Sequence, residues 1–82
     1  MRFNFDGLRE LVARNYNSQT EFATAVELTP TQLALRLDGR LPFLASEIIR
    51  ISEVLDIPGS EIGLYFFTPK FDKIELEGGF AI

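Results

Sequence analysis

The fold class this sequence predicts is all-α: five short helices in residues 1–69, then a tail over 70–82 that carries one strand-like stretch. Three observations predict it. Apolar residues recur at helical spacing in five separate windows. Breaks rich in Asn, Pro and Gly separate the windows, at Asn15-Tyr16-Asn17, Asp38-Gly39 and Ile57-Pro58-Gly59. Residues suited to capping a helix stand at the window edges, Ser18 and Thr29 foremost.

In order, Phe3 and Phe5 precede a first helix from about Gly7 to Asn15, with Asp6 placed to cap it and Leu8, Leu11 and Val12 on one face. Its Arg9, Glu10 and Arg14 read as solvated charge. Ser18-Gln19-Thr20-Glu21 is a capping box: the Ser18 hydroxyl accepts from the Glu21 N–H, and the Glu21 carboxylate reaches back to the Ser18 N–H. A second helix, Gln19–Val26, follows with Phe22, Ala23 and Val26 as its apolar face. After the turn Glu27-Leu28-Thr29, Thr29 caps a third helix and Pro30 takes its first position, where the missing N–H has no helical partner. Leu33 and Leu37 anchor this helix, and Gly39 suits a left-handed C′ position. Ala45–Asp56 is the most amphipathic stretch, with Ile48, Ile51 and Leu55 in line and Ile49 and Val54 broadening the stripe. Ser60 caps a fifth helix, Glu61–Phe66, whose Ile62, Tyr65 and Phe66 face inward.

The pair of short helices separated by about three residues has the spacing of a helix-turn-helix. Ser18–Arg40 resembles the Cro/repressor (XRE-like) class of phage and bacterial regulators. The longer run Gly7–Phe67 is similar to a small phage-borne family of unknown function. The resemblance rests on Gln19…Phe22-Ala23, Leu33…Leu37-Asp38-Gly39, Glu47-Ile48-Ile49 and Tyr65-Phe66-Phe67. It implies a lambda-repressor-like DNA-binding domain that acts as a homodimer. Two positions depart from the class. Glu27 stands where Gly is usual, and a left-handed backbone there costs a non-glycine residue roughly 1–2 kcal/mol. Arg36 stands where a buried aliphatic or Trp is common.

Composition limits the alternatives. With no His and no Cys, the commonest general base, the commonest zinc ligand and any disulfide are missing. No paired-carboxylate or Gly-rich phosphate pattern is present, so neither an enzyme nor a cofactor or metal site is expected. No apolar run approaches the roughly 20 residues that span a bilayer, and a cytoplasmic protein with no membrane partner is expected. The net charge of −4 weighs against nucleic acid. Its distribution softens this, since residues 1–50 hold six arginines against six acids, while 51–82 hold two lysines against six.

The expected DNA-binding residues are Gln19, Thr29, Thr31, Gln32, Leu35, Arg36 and Arg40. Gln19, at the start of the first motif helix, takes a phosphate by the resemblance. Thr29, Thr31 and Gln32 open the recognition helix, where side chains reach base edges. Leu35 is placed to pack on a thymine methyl or to join an interface, and Arg36 to bond guanine or phosphate. Arg40, just past the helix, suits a phosphate. Arg36→Ala and Gln32→Ala are both expected to weaken operator binding by about 1–3 kcal/mol with little loss of stability, as exposed residues. The rival reading is a protein-interaction module that binds another repressor. In the tail, Lys73–Glu77 alternates like a half-buried strand. It either pairs with its copy across a twofold axis in a dimer, or belongs to a disordered tail; the aromatics Phe71 and Phe80 near it read mainly as core.

Overall fold

The computed structural model describes residues 2–70 and is helical apart from one short ribbon. The order is β1 (Arg2–Phe3), α1 (Asp6–Asn15), α2 (Gln19–Ala25), α3 (Pro30–Leu37), α4 (Ala45–Val54), a 3-10 turn (Gly59–Glu61), α5 (Ile62–Phe66) and β2 (Pro69–Lys70). The all-α class is therefore as expected. The strand expected at Lys73–Glu77, with Phe71 and Phe80, lies outside the described residues.

The ribbon was not legible in the sequence. β1 and β2 pair antiparallel, Arg2 with Lys70 and Phe3 with Pro69, and the Asn4 N–H donates to Thr68 O at 2.7 Å. The chain thus closes on itself at the start of α1. Asp6 does not cap α1; it is the first helical residue, and its N–H donates to Asn4 Oδ1 at 2.8 Å. Ser18 caps α2 as predicted, accepting from the Glu21 N–H at 3.1 Å. The returning Glu21 carboxylate overshoots by one residue and accepts from the Asn17 N–H at 3.3 Å.

Three helices end alike. After α2, α3 and α4 a single residue turns left-handed, at Glu27 (φ 61°), Gly39 (φ 78°) and Asp56 (φ 55°). The following N–H reaches back over the end of each helix: Leu28 to Ala23 O at 2.9 Å, Arg40 to Leu35 O at 2.9 Å and Ile57 to Ser52 O at 2.8 Å. These are Schellman closures, and two of them are made without glycine. Glu27 therefore does adopt the strained geometry, and its carboxylate forms an ion pair with Arg50 of α4. Ile57 is buried and Leu28 half-buried, so the residue after each acidic turn is anchored in the core.

One core joins the helices: Leu8 and Val12 from α1, Phe22, Ala23 and Val26 around α2, Leu33 and Leu37 from α3, Ile51 and Leu55 from α4, and Phe66 from α5. Fully burying a Leu, Ile or Phe contributes about 1.5–3 kcal/mol each. On α4 the buried stripe is narrower than predicted. Ile49 and Val54 are exposed, while Ile51, Ser52 and Leu55 share the buried face. The Ser52 Oγ is buried with no hydrogen-bond partner among the described residues. Ser60 falls within the 3-10 turn, so α5 begins one residue later than predicted, at Ile62.

Candidate functional site

The surface around α3 is built by its N-terminal cap. The Gln32 N–H donates to Thr29 Oγ1 at 3.1 Å, and the Thr29 N–H donates to Gln32 Oε1 at 3.0 Å. This reciprocal box fixes both side chains at the opening of the helix. Gln32 Oε1 is engaged, which leaves its Nε2 hydrogens to present donors outward. Thr29, Pro30, Thr31 and Gln32 are all exposed, as are Gln19 at the start of α2 and Arg40 after α3. Six of the seven predicted residues are thus at least partly accessible. Leu35 is half-buried rather than free, and its carbonyl accepts from the Arg40 and Leu41 N–H groups at 2.9 and 3.3 Å.

Arg36 requires correction. It is buried at 9% exposure, so it is not an exposed base contact. Its Nε donates to Glu47 Oε1 at 2.7 Å and its Nη1 to the Gln32 carbonyl at 3.1 Å. The same Glu47 oxygen accepts from the Leu44 N–H at 2.8 Å, so one carboxylate joins α3 to the first turn of α4. The signal was present in the sequence. Leu33, Arg36 and Leu37 lie at i, i+3 and i+4, so Arg36 shares the face of the two core leucines.

Other arginines are also held. Arg9, expected to be solvated, donates from Nη2 to Leu37 O at 3.0 Å and Asp38 Oδ1 at 2.9 Å, covering the open carbonyl end of α3. Arg14 pairs with Glu10 at 3.3 Å along α1. With Arg36–Glu47 and Arg50–Glu27, only Arg40 among the described arginine side chains lacks an ion-pair partner within the described residues. Reading α3 outward from its cap, the exposed surface is polar and nearly uncharged.

A family model described as a protein of unknown function (DUF739) matches residues 1–69. The chain belongs to the DUF739 family. No curated protein matches it. In this DUF739 chain no group of three His, Cys, Asp or Glu residues able to hold a metal occurs among the described residues. No helix among them is long and apolar enough to cross a membrane. The features that a surface-binding function has to work with are the capped opening of α3, the start of α2 and Arg40.

Proposed function

We propose that the protein is a sequence-specific DNA-binding regulator of the Cro/repressor kind, a helix-turn-helix protein that binds operator DNA as a homodimer through α2 and α3 and acts by occupancy, without chemistry. The observation that carries this reading is the capped, exposed, uncharged first turn of α3. Thr29, Thr31 and Gln32 offer hydroxyls and an amide there, the groups that discriminate base edges in a major groove. The Gln19 amide and the start of α2 supply a phosphate contact, and Arg40 a second.

Because most arginines are neutralised internally, phosphate contacts are few. Counting Arg40 with one further cation at most in each protomer, a dimer neutralises about 2–4 phosphates, so log K falls with log salt at a slope of roughly −2 to −4. The test is a fluorescence-anisotropy titration against DNA flanking the protein's own gene, with random DNA as competitor, across a salt series. Saturable, competitor-resistant binding with that shallow slope supports the reading. A folded protein with no specific binding at low salt overturns it.

The second reading, a protein-interaction module that engages another repressor, is favoured by one observation. Four arginines are paired with acids of the same domain, and the net charge is −4. Failure of the DNA titration together with saturable binding to a purified basic repressor domain would establish it.

A further inference from the structure

Where the β1–β2 ribbon meets the end of α3 lies a polar hollow of about 370 Å³. Three separate parts of the chain bring cations to it: Arg9 from α1, Arg40 just past α3 and Lys70 from β2. Lys70 is remote from Arg40 in sequence. The pairing of Lys70 with Arg2 and of Pro69 with Phe3 carries it there. Two carboxylates share the lining, Asp6 and Asp38. Asp38 is already answered by Arg9, whose Nη2 donates to Asp38 Oδ1 at 2.9 Å and to Leu37 O at 3.0 Å. Arg40 and Lys70 are left with Asp6 as the one other charge, so the lining is positive on balance. The opposite holds elsewhere on the surface. The hollow between α4 and the 3-10 turn is lined by Glu53 and Asp56 and by no cation. In a chain of net charge −4, an approaching anion is steered away from that acidic hollow and toward the end of α3.

We propose that the hollow at the end of α3 binds phosphate, with Lys70 and Arg40 as its two cations. Both residues are exposed, so an anion reaches them without any opening of the fold. The Arg40 guanidinium matches two phosphate oxygens with its fork, and the Lys70 ammonium adds a point charge. Arg9 acts behind them, by offsetting the Asp38 carboxylate. The site stands on the hollow and its charges. Its natural ligand, the backbone of DNA, rests on the reading above. α3 spans 8 residues, about 12 Å, against a major-groove depth of about 8.5 Å. With its first turn at the base edges, its far end stands at the rim of the groove, where the phosphates run. Lys70 is then the second phosphate cation of each protomer, beside Arg40.

The test has one arm without DNA and one with it. The 15N-labelled full chain is titrated with inorganic phosphate, and with chloride at equal ionic strength. Saturable shifts centred on the amides of Gly39, Arg40 and Lys70 are expected with phosphate and not with chloride. Lys70→Gln is expected to abolish them and Lys70→Arg to keep them. Asp6→Asn is expected to lower the half-saturating phosphate concentration about threefold, by removing the opposing charge. Absent or uniformly spread shifts overturn the site. On duplex DNA flanking the protein's own gene, Lys70→Gln is expected to weaken binding at least about tenfold at 0.1 M salt, alike on specific and random sequence. The salt slope becomes shallower by about 1 for each protomer. Specific binding by the parent, with Lys70→Gln unchanged in affinity and slope, overturns the role on DNA and leaves the DNA reading standing. Phosphate shifts in a parent that binds no DNA support the site, give it to a small phosphate ester, and overturn the DNA reading.

Discussion

Replacing Arg36 by Met tests the geometry of α3 directly. The side chain is buried, and Glu47 opposite it is equally enclosed, each with 11% of the side chain exposed. Removing one member of a buried ion pair costs about 3–5 kcal/mol, because the other charge is left without its partner. Here Glu47 keeps the Leu44 N–H at 2.8 Å and the start of α4, so the lower end of that range applies, about 3 kcal/mol. A domain of this length has a stability of roughly 4–12 kcal/mol, so the variant loses a large part of it. At a urea m-value of about 1 kcal/mol/M the midpoint falls by about 3 M. Urea titration followed by circular dichroism at a helical wavelength reads this shift. The double variant Arg36→Met/Glu47→Leu is expected to recover most of the loss, since a buried pair replaced by apolar side chains of similar size is often neutral. A midpoint within about 0.5 M of the parent for Arg36→Met alone would refute the reasoning, and would mean that Arg36 is solvated and α3 is rotated outward.

Two further substitutions separate structural from functional roles. Asp56→Gly relieves the roughly 1–2 kcal/mol of a left-handed backbone, offset by about 0.5–1 kcal/mol of glycine's extra chain entropy, and is expected to stabilise by roughly 0.5–1 kcal/mol, a rise of a few degrees in the thermal midpoint by differential scanning calorimetry. Glu27→Gly gains less, because it also gives up the ion pair with Arg50. Gln32→Ala breaks half of the α3 cap and lowers stability by about 0.5–1 kcal/mol in the same assay. Gln32→Glu keeps an acceptor for the Thr29 N–H and places a negative charge where the helix dipole favours it, so it melts no lower than the parent. On the DNA reading it nonetheless loses operator affinity in the anisotropy titration, since the new carboxylate faces phosphate and cannot donate.

Elements whose signals are local were readable in advance. Ser18 and Thr29 announce the starts of α2 and α3 because a cap is a contact across three residues. Leu8, Phe22, Leu33 and Ile51 announce the core because helical spacing alone puts them on one face. What escaped was non-local or depended on competition. The Phe3–Pro69 pairing joins opposite ends of the domain through backbone groups that leave no mark in the side chains. Arg9 reads as solvated until α3 is seen to end beside it. Ile49 broadens the apolar stripe in the sequence, but the face that packs runs through Ile51, Ser52 and Leu55, and Ile49 is left 58% exposed. At the candidate site, Gln19, Thr31 and Arg40 lie on the surface as their positions imply. Arg36 does not, because the i, i+3, i+4 geometry outweighed the preference of a charge for water once Glu47 stood within reach.

The β1–β2 ribbon has a mechanical consequence. Its two strands run antiparallel, and the chain enters at Arg2 beside the point where it leaves at Lys70. A load applied through both ends, by a fused domain or a surface tether, therefore pulls along the hydrogen bonds and opens them one after another. Such a zip yields at low force, whereas strands pulled lengthwise past each other share the load. Resistance to urea and resistance to tension are then set by different parts of the molecule: the first by the packed helices, the second by two residues at each end.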